Sequence, residues 1–192
     1  MKTKTLLVLM FISQFVFSQT KNEKEERITK SEFPDAAIAV VNNLPENCKR
    51  LKFYKETDGN KQSFEVKFKH KRKRYSLEFS KDGVIEDLEV LTKFKTINEE
   101  KKSKIEGYFK SSFNKYKLIK VQKQFVYNEE LGALTFVNDV LDNTSTEAPN
   151  FEIIAEVKTN KKRDIREFTF DESGIFVNFR ILKPTSYEHV LY

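Results

Sequence analysis

Residues 64–85 read FEVKFKHKRKRYSLEFSKDGVI, and residues 155–176 read AEVKTNKKRDIREFTFDESGIF. Laid on one another without a gap, they are identical at Glu65/Glu156, Val66/Val157, Lys67/Lys158, Lys71/Lys162, Arg72/Arg163, Phe79/Phe170 and Gly83/Gly174. Leu77 against Phe168, Val84 against Ile175, Leu88 against Phe179 and Val90 against Ile181 replace one apolar residue by another. Apolar and polar residues alternate along both stretches, the pattern of a strand with one face in a core. In the first, Phe64, Val66 and Phe68, then Tyr75, Leu77 and Phe79, then Val84, Leu88 and Val90 take inward positions, while Glu65, Lys67, Glu78, Asp87 and Glu89 take a wet face. Asp58-Gly59, Asp82-Gly83 and Ser173-Gly174 are tight-turn pairs, so the strands succeed one another as an antiparallel meander. Self-similarity at a fixed offset implies two copies of one architectural unit.

Each meander is preceded by an amphipathic helix. Before the first, Ser31 is a candidate cap and Pro34 suits a first helical turn. Phe33, Ala37, Val40, Val41 and Leu44 then fall at helical spacing ahead of Pro45. Before the second, Thr96 and Glu99 are spaced as a capping box, and Ile97, Ile105, Tyr108, Phe109 and Phe113 share a face. The second unit carries an insertion containing Gly132, in which Ala133 to Val137 reads as a strand and Asp142 to Pro149 as an exposed loop. The class implied is α+β, a tandem duplication of a helix packed on an antiparallel β-meander sheet.

At the N-terminus, Lys2 and Lys4 precede an apolar run from Leu6 to Phe17, and Val16-Phe17-Ser18 offers a cleavage site before Gln19. The expected division is a signal peptide at 1–18, a disordered segment at 19–30, units at 31–94 and 95–184, the latter with an inserted loop near 138–150, and a tail at 185–192. Residues 20–27 are almost all polar or charged, which is the reason for expecting disorder there. No cysteine follows the apolar run to take a lipid anchor, so the protein is expected to be exported, periplasmic or secreted. Cys48 is the single cysteine, so an exported chain of this kind is held by its core, for which 18 Phe and 7 Tyr provide ample material. Beyond the signal no apolar stretch is long enough for a transmembrane helix. The formal charge of +6 is spread over many Lys and Glu, which argues against a nucleic-acid partner.

The helix-and-meander pattern has a counterpart. Phe33-Pro34, Phe64-Glu65-Val66-Lys67-Phe68, Tyr75-Ser76-Leu77-Glu78-Phe79 and the turn Asp82-Gly83-Val84 resemble the PepSY-like, β-lactamase-inhibitory-protein-like domains of exported Bacteroidetes proteins. The resemblance implies tandem helix-plus-sheet units, in which inhibitory relatives cover an enzyme with an exposed sheet face. It does not extend to the active-site-plugging loop or to the stiffening disulfides of such inhibitors, since only Cys48 exists.

Catalytic motifs are missing from the sequence. His70 and His189 have no cysteine or paired carboxylate at ligand spacing, and five glycines leave no room for a phosphate-binding loop. No cofactor, metal site or enzymatic activity is therefore expected. The strongest local feature is a basic hairpin tip, where Lys67, Lys69, Lys71, Arg72, Lys73 and Arg74 surround His70, echoed by Lys158, Lys161, Lys162 and Arg163. A solvated tip that guards a sheet edge is one explanation. The other is a partner-binding surface for an unidentified protein or peptide of anionic character, whose cations should then be free of intramolecular carboxylate partners. The functional expectation is a non-enzymatic exported binding module, inhibitor-like in the form the resemblance suggests. The alternatives are an enzyme with an unrecognised site and an envelope stability factor pairing its sheet edge with a client segment.

Overall fold

In the computed structural model, residues 19–21, 23–160 and 162–182 are described. The signal peptide expected at 1–18, the tail expected at 185–192 and Lys161 lie outside them. The chain runs β1 (Gln19–Lys21), β2 (Glu23–Ile28), α1 (Asp35–Asn42), β3 (Lys49–Asp58), β4 (Lys61–His70), β5 (Lys73–Ser80) and β6 (Ile85–Leu91). It continues with α2 (Glu99–Ser112), β7 (Lys115–Val126), α3 (Ala133–Asp142), β8 (Asn150–Thr159), β9 (Lys162–Phe170) and β10 (Phe176–Leu182). The fold is α+β. Both halves follow the same order, a helix and then four strands, with α3 inserted in the second.

All the strands join one sheet in the order β1-β10-β9-β8-β7-β6-β5-β4-β3-β2. Neighbours are antiparallel except β1, which runs parallel to β10. β1 and β2 occupy opposite edges, yet Lys21 and Glu23 are two residues apart in the chain, a span of at most about 7 Å. The N-terminal strand therefore stitches the two edges together, and the sheet curls into an incompletely closed barrel. Arg180 on β10 and Asp58 on β3 meet at 4.0 Å across the same seam.

The apolar cores lie on the outer face of this curled sheet. One cluster packs Ala37 and Val41 of α1 against Phe64, Val66, Phe68, Leu77, Phe79 and Leu88. The other packs Ile105 and Phe109 of α2 against Ile153, Val157, Phe168 and Phe170. Phe79 and Phe170, aligned in the sequence, are both fully buried. Gly83 and Gly174 have φ of 84° and 80°, and each turn presses on the first turn of its own half's helix. A Cβ at Gly83 would lie 2.8 Å from the Ala37 amide nitrogen, and one at Gly174 2.7 Å from the Lys101 carbonyl oxygen. Any side chain at either position meets a backbone it cannot displace.

Several expectations need correction. Residues 19–21 and 23–28, expected to be disordered, supply β1 and β2, because backbone pairing needs no apolar side chains and the charge of Glu25 is met by Lys67 at 3.0 Å. The insertion does not begin with a strand. Ala133–Asp142 is a helix whose Phe136, Val137, Val140 and Leu141 fall one turn apart and are buried, closed by Asn143 in the left-handed conformation. These side chains pack on the core of the first half, so the two units share an element across the division drawn at residue 95. The loop expected near 138–150 thus shrinks to the stretch after Asn143. Val84 and Ile175, read as core positions, are 47% and 56% exposed at the turns. Asn98 rather than Thr96 caps α2, accepting from the Glu100 amide. The capping box near Ser31 belongs to Thr29 and Glu32 of a short 3₁₀ turn.

Candidate functional site

Because the apolar residues of each strand turn outward to the helices, the alternate residues turn inward, and curling brings them together. The result is an interior cavity of about 230 Å³, lined by side chains from β2 through β10. Ten carboxylates and four cations line it, in a chain whose formal total is +6. The face expected to be wet is in large part enclosed: Glu56, Glu65, Asp87, Glu89 and Glu167 are buried.

At one end, Glu25, Glu56 and Glu65 bring carboxylate oxygens within 4.8 Å of one another. Lys67 inserts its ammonium among them, 3.0 Å from Glu25 Oε1 and 3.0 Å from Glu65 Oε2, and it also stands 4.8 Å from the centre of the Tyr54 ring. The Ser76 hydroxyl donates to Glu65 Oε1. Burial alone would raise the Glu65 carboxyl, but Lys67 and the Ser76 hydroxyl hold it below its ordinary value. Burial likewise opposes the Lys67 ammonium, and Glu65 and Glu25 overcome it and raise Lys67 above its usual range.

Further round the interior, Glu78, Asp87 and Glu89 form a second group with oxygens within 4.8 Å. Here the donors on β7 are amides. Gln122 Nε2 donates to Glu89 Oε2, and Gln124 Nε2 donates to Asp87 Oδ2 at 2.9 Å and to Glu152 Oε1 at 3.2 Å. Asp87 Oδ1 is buried with no hydrogen-bond partner. Burial, then the neighbouring Glu152 charge, pushes Asp87 up to about 7, against the pull of the Gln124 amide. The same two causes, joined by Glu78 and Asp87, raise Glu89 well above the carboxylate range, with Lys120 opposing. A register shift in the β5–β6 pairing, where Glu78 faces Asp87 but Phe79 faces Ile85, marks a bulge beside this group.

The basic residues singled out in the sequence are not brought together as one surface. Lys67 belongs to the interior. His70 is 2% exposed, with Nδ1 3.5 Å from Cys48 Sγ, and burial followed by the Lys71 charge lowers its pKa. Lys71 pairs with Asp142 at 2.7 Å and Lys73 donates to Asn143 Oδ1 at 2.9 Å, so α3 anchors the first tip. In the second half Arg163 pairs with Glu156 at 2.7 Å and Lys162 with Asp164 at 3.3 Å. The expectation that the cations of the first tip have no carboxylate partners therefore fails at Lys71, and Lys162 and Arg163 of the second half are paired as well, for the ordinary reason that exposed lysines and arginines find nearby acids. Lys69, Arg72, Arg74 and Lys158 have no carboxylate partner among the described residues. Lys49 lies beside Lys69 in the β3–β4 pairing, and Lys69 beside Arg74 in the β4–β5 pairing.

No protein-family model matches the sequence, and no curated protein matches it. The chain has likenesses among solved structures. A DUF2874 family protein from Bacteroides ovatus superimposes with a TM-score of 0.51 at 7% identity, covering 78% of this chain and 87% of that one. A BLIP-like protein from Bacteroides fragilis gives 0.47 at 13% identity, covering 78% and 86%. A Bacteroides eggerthii protein described as a "putative periplasmic" protein gives 0.48 at 9% identity, covering 78% and 88%. At 7% identity the first likeness is one of fold.

The interior site escaped the sequence reading although Glu65, Lys67, Glu78, Asp87 and Glu89 were in view as polar partners of the alternation. The available signal was charge segregation: Glu65, Glu78, Asp87, Glu89, Glu152 and Glu167 share strand parity opposite the aromatic positions, whereas lysines crowd the turns. An ordinary solvated face mixes signs more evenly.

Proposed function

We propose that this protein is an exported, non-enzymatic binding module of the cell envelope whose working site is the carboxylate-lined interior of the curled sheet. Its ligand is cationic: a free cation, or the ammonium or guanidinium group of a protein or peptide partner. One observation carries the reading, the ten carboxylates set against four cations around a single cavity. Such crowding of like charge costs stability unless a proton or another positive charge enters. The amides of Gln122 and Gln124 hold carboxylates in place around that cavity. Export is supported by the signal-like residues 1–18 and is in keeping with the periplasmic description of a solved neighbour. Tandem duplication is supported by the matching roles of Gly83 and Gly174 and of Phe79 and Phe170. The BLIP-like part of the resemblance has a solved counterpart, and the PepSY-like part rests on the sequence.

Calorimetric titration with calcium, magnesium, spermidine and an arginine-rich peptide at fixed ionic strength tests the reading. Saturable binding of at least one cation is expected, and heats that never exceed those of matched sodium chloride would sink it.

A second reading, that the first hairpin tip binds an anionic partner, is favoured by the row of Lys49, Lys69 and Arg74. Like charges side by side across strands are destabilising unless an anion lies over them. Replacing Lys69, Arg72 and Arg74 together by Gln should then weaken capture of an acidic envelope protein and flatten its salt dependence. Unchanged capture at low and physiological salt would remove this reading.

A further inference from the structure

We infer that Glu78, Asp87 and Glu89 form a binding site for one hard divalent cation, calcium or magnesium, inside the sheet. The inference rests on the cation-binding reading and assigns it to one part of the interior. Each of the three contributes a carboxylate oxygen, and these lie within 4.8 Å of one another. Two oxygens on one cation can be no further apart than twice a metal–oxygen bond, about 5 Å for calcium and about 4 Å for magnesium. The present spacing falls within the calcium limit, and magnesium would require the side chains to draw the oxygens closer.

Asp87 supplies an independent sign that something is missing. It is 9% exposed, and Oδ1 has no hydrogen-bond partner while Oδ2 accepts from Gln124. A buried carboxylate oxygen without a donor is costly, and a cation beside it removes the cost. The group at Glu25, Glu56 and Glu65 shows the same problem solved from within the chain, by Lys67. At Asp87 and Glu89 the amides of Gln122 and Gln124 orient the carboxylates, as supporting residues around a metal do. A donor set made wholly of carboxylate oxygen selects hard ions over zinc or copper, which favour imidazole and thiolate. The cavity of about 230 Å³ has room for waters to complete the coordination shell.

The test titrates chelator-stripped protein with calcium, magnesium and zinc chlorides separately, following heat and melting temperature. One site per chain for calcium or magnesium is expected, with a rise in melting temperature. Asp87→Asn and Glu89→Gln should each weaken that binding at least tenfold, while Glu56→Gln should change it less than twofold. All three substitutions replace a carboxyl by the amide of the same shape, and circular dichroism is used to check that each variant is folded. If the wild type binds calcium but only Glu56→Gln abolishes it, the site is misassigned and the interior reading survives. If neither ion binds while spermidine or the arginine-rich peptide does, the metal site is wrong and the interior reading again survives. If no cation of any kind binds, both fall. Zinc binding tighter than either ion and indifferent to Asp87→Asn would also overturn the assignment.

Discussion

Glu25, Glu56 and Glu65 on one side of the interior, and Glu78, Asp87 and Glu89 further round it, are both groups of three carboxylates with oxygens within 4.8 Å. They differ in where the compensating charge comes from. The first encloses Lys67, and its Glu65 is held below the usual carboxylate range. The second is oriented by neutral amides, and its Asp87 rises to about 7. The difference teaches that burial by itself does not decide the state of a carboxylate. A cation carried on the strand of Glu65 makes the first group a structural element, whereas Asp87 in the second accepts from an amide alone and more readily takes a proton or an ion from solution.

The largest expected effect comes from taking the internal cation away. Lys67→Met leaves the Glu25, Glu56 and Glu65 group without its lysine and should lower unfolding free energy by about 3 kcal/mol in urea titration. A loss below about 1 kcal/mol would show that the two groups do not differ in the way described.

The pH dependence should run in opposite directions at the two groups in metal-free protein. Glu65 has a lowered folded pKa, so its contribution is present above the unfolded value and is lost as pH falls through the folded one. Asp87 has a raised folded pKa, so its contribution is complete below the unfolded value and is lost as pH rises through about 7. Between pH 5 and pH 8 the second group dominates, and stability should fall by on the order of 2 kcal/mol. A flat or rising profile over that window would contradict the assignment of Asp87 as a buried group without a cation.

Asp87→Asn isolates that contribution. At pH 8, without divalent ions, the variant should be more stable than the parent by about 1 kcal/mol and should lose less stability between pH 5 and pH 8. Destabilisation at pH 8 would mean that the Asp87 carboxylate is already compensated.

The smallest effect is expected outside the interior. Lys71 pairs with Asp142 at 2.7 Å with both side chains more than half exposed, and Lys71→Gln should change stability by no more than about 0.5 kcal/mol. A larger change would place the first hairpin tip among the structural charges, beside Lys67.

Much of the fold was legible. Alternation placed β4, β5, β8 and β9, the Asp-Gly and Ser-Gly pairs placed their turns, and 3.6-residue spacing placed α1 and α2. What went unread has identifiable causes. In α3, Val137 and Val140 are β-branched and follow Gly132, which disguised the one-turn spacing of Phe136, Val137, Val140 and Leu141. Residues 24–27 are all charged and give no apolar signal, and the order of β1 and β2 comes from backbone pairing with β10 and β3, far away in the sequence.

By itself, then, the sequence determined which residues of each strand share a face, where the turns fall and which helix faces are apolar, because these follow from local periodicity and backbone preference. It also determined that the acidic residues oppose the aromatic ones. Only the tertiary structure decided that this acidic face is an interior. That outcome depends on β1 and β2 joining opposite edges of the sheet, a pairing between residues more than a hundred positions apart for β1 and β10, which no local pattern encodes. Burial, and with it the raised Asp87 and the lowered Glu65, exists only once that seam is closed, since a carboxylate on an open sheet would keep its water.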